Sequence, residues 1–533
     1  MCAVVYRCNS ASRSVICCVS PTLSAAVTAL RRCTMPVLFK RKNVADRNPV
    51  RINRINSCHV LTRCNFLISR RIERLSATIA PPSYSISIPY HKCRACYTKD
   101  MNIYFSGIGG VGLGPLAEIA RDAGHIVHGS DAQESLTTRE LQERGIPVST
   151  DQTGDYLMYC HRQQSIDWFV YTAGLPNDHP ELLKARELGL HLAKRDELIN
   201  YIIGEKRLNL IAIAGTHGKT TTTAMMVWVF RQLDIPVSFS IGATTSFAPA
   251  GHFDPNSRYF VYECDEFDYN FLHFEPDISI ITSLDYDHPD TYPTEGDYRA
   301  AFERFLTQSK QTVMWLRDTF SGLQTPKNAW LLKDSEVMPL RLAGAHNRAN
   351  ATLIAKACEY LKLGQQHAVL AALSSFPGTS RRFEKLADNL YSDYGHHPVE
   401  IAATLQMARE LSDRVVLVYQ PHQNVRQHEI RDQYDGCMEL AEEIYWLPTY
   451  LTREDPRLPI LTPQELVGNL TNRNAVHYAE LNDELWQHIE AARRDGKLVL
   501  CMGAGTIDGW LREQLAKTSA TEKFNNANDA PTA

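Results

Sequence analysis

One stretch near the middle of the chain limits the possible fold more than any other. An apolar run from Leu210 to Ala214 precedes Gly215-Thr216-His217-Gly218-Lys219-Thr220, and a helical pattern follows from Thr223. Strand, glycine turn, Lys-Thr and helix is the order that a phosphate-binding loop needs. The glycines let successive N–H groups face phosphate oxygens, and the helix N-terminus adds its positive dipole end. The stretch therefore predicts an ATP-type site at the edge of a parallel α/β sheet.

The side chains of this loop have expected roles. Lys219 can reach the β- and γ-phosphates as a point charge, and Thr220 can place its hydroxyl on Mg²⁺. The spacing departs from the general G-x-x-x-x-G-K-[ST] pattern, so an ordinary βα turn that contains Gly-Lys-Thr stays open as an alternative. We assign ATP to Gly215, Thr216, His217, Gly218, Lys219, Thr220 and Thr221.

The first hundred residues differ in composition from the rest. Residues 1–100 hold 17 Lys and Arg against 3 Asp and Glu, whereas the remaining residues hold 39 and 57. Nine of the 14 cysteines also lie before residue 101. A strand and a glycine turn begin directly after Met101, so we interpret 1–100 as a basic, Cys-rich extension that arises from a start codon assigned too early. A targeting segment, which would be Arg- and Ser-rich and poor in acids, is the alternative.

Charge alone also allows a nucleic-acid-binding arm in this extension, and Cys93 and Cys96 could form half a zinc site. The remainder is acidic, and we expect no nucleic-acid partner for it. No apolar run approaches the roughly 18–20 residues that a membrane span needs, so we expect no membrane association either.

A second glycine-rich turn opens the acidic part of the chain. Gly107-Ile-Gly109-Gly110-Val-Gly112 follows a strand and begins a helix, and Asp131 comes about 20 residues later. This is the context of a dinucleotide-binding βαβ unit, and alone it favours NAD. The physical requirement is less specific, because the loop binds a pyrophosphate and any nucleotide diphosphate supplies one. The four glycines and Asp131 are therefore candidate ligand-binding residues.

Two further apolar strands end in side chains that suit a metal ion. Residues 259–262 lead into Glu263-Cys-Asp265-Glu266, and residues 277–284 lead to Asp287-His288. After a phosphate-binding loop, a strand that ends in carboxylates is where a Mg²⁺ ligand belongs. We expect Thr220, Glu263 and His288 to bind the metal, although four acids in six residues also suit a solvated turn.

Strands and helices continue to alternate up to about residue 515, which predicts a third parallel α/β domain. We place the three domains at residues 101–204, 205–375 and 376–517. The polar residues 518–533 predict a disordered tail.

Six motifs follow one another along the chain. They are Gly215-Thr-His-Gly-Lys-Thr-Thr-Thr, Glu263-Cys-Asp-Glu, Asp287-His288, His346-Asn347-x-x-Asn350, Arg381-Arg382-Phe and Asp393-Tyr-Gly-His-His-Pro. Together they resemble the Mur ligase family, the ATP-dependent amino-acid ligases of peptidoglycan synthesis. The likeness runs from about residue 101 to 515.

Four stretches are most similar to the members that join L-alanine to UDP-N-acetylmuramate. They are Gly107-Ile-Gly-Gly-Val-Gly, Asp287-His-Pro-Asp-Thr-Tyr, Gln420-Pro-His422 and Gly503-Ala-Gly-Thr. Members that attach a recycled tripeptide to the same sugar share much of this and stay open as an alternative. Gln423 stands where the alanine ligases usually have Arg, which leaves the amino-acid preference open.

The resemblance implies an α/β fold with three domains. An N-terminal Rossmann-like domain would bind the UDP sugar, a central P-loop ATPase-type mononucleotide-binding sheet would bind ATP, and a C-terminal Rossmann-like domain would bring the amino acid. The implied ligands are ATP, Mg²⁺, UDP-N-acetylmuramate and L-alanine. The implied protein is a cytoplasmic bacterial enzyme, either a monomer or a homodimer.

The resemblance also implies roles for single residues. Lys219, Glu263 and His288 would serve phosphoryl transfer, with Thr220 and Glu263 on Mg²⁺ and His288 as the candidate ligand of a second Mg²⁺. Asn347 would contact the adenine side and Arg382 the phosphates. Asp393, His396 and His422 would lie where the amino acid enters. Arg426 would pair with the amino-acid carboxylate, because Arg forms bidentate pairs with carboxylates.

Two other classes of function compete with this interpretation. An NAD-dependent dehydrogenase explains Gly107 to Gly112 but leaves the Lys-Thr loop and its carboxylates without a role. A nucleotide-sensing module would not need to keep Lys219, the acids and His288 around a transferring phosphate.

Overall fold

The computed structural model describes residues 100–533 except 173, 289–290, 320–322, 453, 469 and 529–533, and the side chains of 519–528 are also left out. Before residue 100 it describes three strands, β1 (Cys2–Tyr6), β2 (Val15–Val19) and β3 (Leu38–Arg41). They form an antiparallel sheet with β1 in the middle, within a unit that spans residues 1–96. The cysteine pair Cys93 and Cys96 lies outside the described residues.

The second unit, Tyr97–Ala533, begins with a five-stranded parallel sheet in the order β6-β5-β4-β7-β8. Its strands are β4 (Asn102–Ser106), β5 (Ile126–Ser130), β6 (Val148–Ser149), β7 (Trp168–Tyr171) and β8 (His191–Ala193). Its helices are α1 (Leu113–Asp122), α2 (Leu136–Glu143), α3 (Asp155–Gln163), α4 (Pro180–Glu187) and α5 (Arg195–Lys206). The central strand β4 is buried throughout, as expected for a parallel strand covered on both faces.

A seven-stranded sheet follows, in the order β11-β10-β12-β9-β13-β14-β15, with only the edge strand β11 antiparallel. Its strands are β9 (Asn209–Ala214), β10 (Ser238–Ser240), β11 (Gly251–His252), β12 (Tyr259–Glu263), β13 (Ile278–Ile281), β14 (Thr312–Trp315) and β15 (Ala329–Leu332). Its helices are α6 (Lys219–Gln232), α7 (Glu295–Gln308), α8 (Ala345–Leu361) and α9 (Gln366–Ser374), with 3₁₀ turns at Phe267–His273, Leu316–Asp318 and Asp334–Glu336.

The third sheet has six strands in the order β16-β17-β21-β18-β19-β20, and β16 pairs antiparallel at one edge. Its strands are β16 (Glu384–Ala387), β17 (Leu390–Asp393), β18 (Val415–Tyr419), β19 (Glu443–Trp446), β20 (Val476–Tyr478) and β21 (Leu498–Met502). Its helices are α10 (Pro398–Leu411), α11 (Asn424–Ile430), α12 (Pro463–Val467), α13 (Asp483–Arg494) and α14 (Ile507–Asn528), with 3₁₀ turns at Arg431–Tyr434 and Arg473–Ala475. Three α/β sheets in sequence confirm the predicted fold class.

The strand order of the middle sheet positions the site. Strand β9, which leads into the phosphate-binding loop, lies between β12 and β13. The chain after β12 carries Glu263 to Glu266, and the chain after β13 carries Asp285 to His288. The carboxyl ends of parallel strands meet at one edge of a sheet, so these three segments converge there.

The last helix departs from the sequence prediction. Helix α14 continues to Asn528, beyond residue 518, where we predicted a disordered tail. Ala516, Lys517, Ala520 and Glu522 are strong helix formers, and they extend the helix although the segment is polar. Among the helices of the described residues, none combines the length and the apolar character that crossing a bilayer requires.

Candidate functional site

The first glycine turn is hydrogen-bonded to Asp131, the acid that follows it in the βαβ unit. The amides of Gly107 and Ile108 donate to the Ser130 carbonyl at 2.8 and 2.9 Å. The Gly109 amide donates to Oδ2 of Asp131 at 2.8 Å. The structure thus brings Asp131 to the glycine loop as the spacing predicts, with its carboxylate bonded to the loop backbone.

A buried carboxylate, that of Glu181, is hydrogen-bonded to the strands beside this loop. Glu181 is fully buried and accepts hydrogen bonds from the hydroxyls of Tyr104 at 2.7 Å, Ser106 at 2.5 Å and Ser130 at 2.7 Å. These bonds join β4, which leads into the loop, to the end of β5, which leads to Asp131. Sequence reasoning missed Glu181, because a glutamate near the start of a helix usually faces solvent.

Lys219 lies folded over the phosphate-binding loop. Its Nζ lies 2.8 and 2.7 Å from the two oxygens of Glu266 and 2.6 Å from the Gly215 carbonyl oxygen. Burial disfavours the ammonium, yet attraction to Glu266 and Asp265 raises the pKa of Lys219 above its ordinary value. Gly218 adopts a φ of +82° at the start of α6, a left-handed conformation that suits glycine. The lysine is thus charged and held where a phosphate would meet it.

Thr220 and Glu263 offer hard oxygen donors beside the loop. The Thr220 hydroxyl donates to Oε1 of Glu263 at 2.8 Å, and Oε2 of Glu263 accepts from the Gly242 amide at 2.7 Å. A threonine hydroxyl and a carboxylate next to a phosphate-binding loop are the protein ligands that Mg²⁺ takes in such sites. These two residues therefore fit the metal that the sequence predicts. Thr221 lies partly exposed on the first turn of α6.

His288 lies beside two acids that we did not assign to the metal. Its Nε2 lies 3.8 Å from Oε1 of Glu266, and ligand atoms of His288, Glu266 and Asp265 all lie within 4.8 Å of one another. Thr220 and Glu263 thus lie together, and His288, the candidate ligand of a second Mg²⁺, lies beside Glu266.

His217 links the loop to the third sheet. Its Nδ1 lies 3.5 Å from Oε1 of Glu400 on α10, and its ring centroid lies 5.3 Å from that of His397. Burial alone would lower the pKa of His217, but Glu400 and Asp285 raise it above its usual range. The loop therefore contacts the C-terminal domain through a histidine whose protonated form these carboxylates favour.

Asp393 organises the arginine turn instead of lying open for a ligand. Its two carboxylate oxygens accept from the amides of Phe383 and Gly395, both at 2.7 Å. Burial raises the pKa of Asp393 to about 6, although Arg382 and these two amides oppose the rise. The guanidinium of Arg382 lies 4.9 Å from the centre of the Tyr394 ring and 3.9 Å from Oε1 of Glu400. Asp393 thereby brings Arg382 to the P-loop side of the domain.

Arg426 reaches across to the middle sheet. Its Nη2 lies 3.3 Å from Oδ1 of Asp287, and its Nη1 lies 2.5 Å from Nε2 of His396. Burial lowers the pKa of His396 to about 4, so this histidine is neutral and accepts the bond from Arg426. The His422 ring lies 5.3 Å from that of His396 and 5.7 Å from that of Tyr450. His396, His422 and Arg426, three of the residues predicted to meet the amino acid, thus lie together, and Arg426 already pairs with Asp287.

Asn347 lies near the start of α8. Its side-chain amide donates to the Ala343 carbonyl at 3.0 Å and lies 3.4 Å from the sulfur of Met407, and the residue is 9% exposed. We predicted contact with the adenine side, and helix capping was the alternative. The bond to Ala343 is not a helix cap, because the amide donates to a carbonyl, and the adenine contact stays a prediction.

Arg195 is a cation that sequence reasoning missed. A Cβ added at Gly112 would lie 3.5 Å from its Nη1, so the side chain lies against the first glycine loop. Tyr262 is the main cause of a raised pKa at Arg195, burial opposes it, and Asp196 and Asp265 add to it. Arg195 therefore lies against the glycine loop of the first domain, and the neighbouring Lys194 pairs with Asp268, which follows the acids beside Lys219. Its position directly after β8, at the carboxyl edge of the first sheet, was the available signal.

Family comparisons agree with this arrangement. The description of the Mur ligase family catalytic domain matches residues 102–207, that of the Mur ligase middle domain matches 213–333, and that of the Mur ligase glutamate ligase domain matches 381–505. Each match covers one of the three α/β sheets.

Solved structures share the fold. The UDP-N-acetylmuramate–alanine ligase of Thermotoga maritima superposes with a TM-score of 0.62 at 25% identity, over 79% of this chain and 100% of that one. The murein peptide ligase of Psychrobacter arcticus superposes with a TM-score of 0.53 at 24% identity, over 78% and 98%.

The similarity to curated relatives covers almost their whole length. The UDP-N-acetylmuramate–L-alanine ligase of Clostridium perfringens is 30% identical over 452 residues, which cover 77% of this chain and 97% of the relative. That of Renibacterium salmoninarum is 31% identical over 451 residues, with coverages of 76% and 93%. From the three matched domains, the shared fold and these full-length relatives, the chain belongs to the Mur ligase family.

Proposed function

We propose that this ligase joins L-alanine to the lactyl carboxylate of UDP-N-acetylmuramate at the expense of ATP. The carboxylate oxygen attacks the γ-phosphorus, ADP leaves and an acyl phosphate forms. The neutral amino group of L-alanine then attacks the acyl carbon, and phosphate leaves. Amide formation from a carboxylate in water is uphill, so the coupling to ATP is chemically required.

One observation carries the proposal. Arg195 lies against Gly112 of the first loop, and its neighbour Lys194 pairs with Asp268, two residues after Glu266, the partner of Lys219. The two phosphate-binding loops therefore open toward the same junction. A sugar nucleotide on the first loop and ATP on the second would place their reactive ends there. A dehydrogenase would need only the first loop.

The side chains supply positioning and charge, which phosphoryl transfer needs more than covalent chemistry. Lys219 would exchange Glu266 for phosphate oxygens, and Thr220 with Glu263 would hold Mg²⁺. Bound Mg²⁺ would neutralise charge on the β- and γ-phosphates. Arg382 would face the same phosphates, and Arg426 would leave Asp287 to pair with the amino-acid carboxylate.

Phosphate release tests the proposal. The enzyme is given ATP, Mg²⁺ and UDP-N-acetylmuramate with L-alanine, glycine, L-serine or the murein tripeptide in separate reactions, and phosphate and the amide product are both measured. We expect the highest kcat/KM with L-alanine. Preference for the tripeptide would assign the recycling reaction instead, and NADH binding without sugar-stimulated ATP consumption would reject ligation.

A further inference from the structure

Helix α10 carries two glutamates that both reach the middle domain. Glu400, in its first turn, faces His217 of the phosphate-binding loop at 3.5 Å. Glu410, in its last turn, makes a bidentate pair with Arg348 at 2.8 and 2.9 Å and accepts from the Gly344 amide at 3.0 Å. The same helix thus docks on the middle domain at two points, and only the first is at the nucleotide loop.

The two oxygens of Glu400 have separate partners. Oε2 accepts from the amides of His396 at 3.0 Å and His397 at 3.2 Å, which completes the N-terminal cap of α10. Oε1 faces Nδ1 of His217 at 3.5 Å and Nη1 of Arg382 at 3.9 Å. Capping explains only Oε2. The orientation of Oε1 toward two cations has no role in the helix itself.

The contacts of Oε1 also determine which charge state of Glu400 is favoured. Burial would raise the pKa of Glu400, but His217 and Arg382 hold it well below its usual range. The side chains of Glu400 and His217 are only 19% and 16% exposed. The other ring nitrogen of His217 lies 3.7 Å from Asp285, beyond hydrogen-bond distance, and the His217 amide donates to the Ser283 hydroxyl at 3.0 Å. Glu400 is therefore the main side-chain partner that orients this ring.

We propose that Glu400 is a positioning residue that couples the seating of the C-terminal domain to the phosphate-binding loop. One carboxylate holds the His396–His397 turn through Oε2 and orients His217 and Arg382 through Oε1. The loop and the amino-acid side of the cleft then adopt their working arrangement together. The inference rests on the proposed ligase function, and Glu400 itself touches no reacting atom.

The variant Glu400→Gln separates the two oxygens. The amide oxygen of glutamine can still cap the His396 and His397 amides, so the fold should persist, but the charge facing His217 and Arg382 is gone. We expect kcat to fall and the KM for ATP to rise, by about tenfold in kcat/KM for ATP. The KM for the sugar nucleotide should change less than about twofold, because its loop is in another domain. Thermal unfolding should shift by no more than a few degrees.

A double-mutant cycle with His217→Gln tests the coupling. If Glu400 acts through His217, the double variant should be no slower than the slower single variant. The matched control is the Arg348→Gln and Glu410→Gln cycle, because that pair also joins α10 to the middle domain but lies away from the loop. Each control variant should keep kcat within about twofold.

Two results would overturn the inference. Multiplied losses in the His217–Glu400 cycle would show independent roles, and an equal loss of kcat in Glu410→Gln would show that any contact of α10 suffices. A wild-type enzyme that consumes no ATP with any acceptor would refute the proposed function instead. In that case the inference is tested by measuring ATP binding directly. We expect weaker binding in Glu400→Gln than in Glu410→Gln, and equal binding would overturn the inference.

Discussion

The two phosphate-binding loops differ in the group that pairs with their own acid. In the N-terminal loop, backbone donors meet an internal acid, and Asp131 accepts from Gly109. In the central loop, a buried cation meets an internal acid, and Lys219 pairs with the fully buried Glu266. The tip of the first loop is open, with Val111 93% exposed, whereas the second loop lies against the C-terminal domain through His217.

The difference indicates how each loop depends on its own acid. Removing Asp131 leaves an amide that water or a phosphate can satisfy, since the loop is open. Removing Lys219 leaves Glu266 as a buried, uncompensated carboxylate, which costs several kcal/mol unless it takes up a proton. We therefore expect the first loop to tolerate changes in its charged residue and the second to be intolerant.

The largest effect should come from Lys219→Ala. Loss of the cation that faces the transferring phosphate should lower kcat by about 10³-fold or more. Binding of the sugar nucleotide, measured by calorimetry, should stay nearly intact because it uses the other loop. Near-normal turnover would contradict the loop assignment.

The stability cost of Lys219→Ala needs its own control. Adding Glu266→Gln should restore the lost thermal stability, because it removes the buried charge, but it should not restore turnover. Lys310→Ala, at an exposed pair with Asp277, is the matched lysine variant and should leave both properties unchanged.

The next largest effect should come from Glu263→Gln. If Glu263 and Thr220 hold Mg²⁺, loss of the carboxylate charge should raise the Mg²⁺ concentration for half-maximal activity by about 10- to 100-fold. A magnesium titration of phosphate release measures this. Glu295→Gln, at a surface pair with Arg299, is the control. An unchanged titration would transfer the metal to the group of Asp265, Glu266 and His288.

Much of the local structure of the two loops could be predicted from the sequence. Both loops lie directly after apolar strands and carry glycines, and those local signals specify strand, turn and helix without long-range information. Glu263 was also predictable, because it ends a strand next to the P-loop strand.

The partners of these residues were not predictable, since they depend on how the domains pack. Nothing local indicates that Arg426 meets Asp287, 139 residues away, or that Glu266 rather than Glu263 meets His288. Asn347 shows the same limit in reverse. A motif matched to a family marks the position, but its bond to the Ala343 carbonyl depends on the packing at the start of α8.

A smaller effect should follow Asp131→Ala. Loss of one hydrogen bond that orders the loop is worth about 1 kcal/mol, so the KM for the sugar nucleotide should rise about fivefold. The KM for ATP should stay unchanged. Tighter sugar-nucleotide binding would contradict this, because it would show that Asp131 competes with the diphosphate for the Gly109 amide.

The smallest effect is a difference in pH dependence between the loops. Since the pKa of His217 is raised in the folded protein, its ion pair with Glu400 is fully formed below about pH 6.5 and is lost as pH rises through the folded-state value. ATP binding should weaken about threefold over that rise, because a positive charge beside the phosphates disappears. Calorimetry from about pH 6 to about pH 9, corrected for the protonation of ATP itself, measures this. His217→Gln should flatten the ATP curve, and sugar-nucleotide binding should be flat in both proteins, because that loop binds through backbone amides. If ATP affinity still changed with pH to the same extent in His217→Gln, another group would be titrating. His217 would then not explain the difference in pH dependence between the two loops.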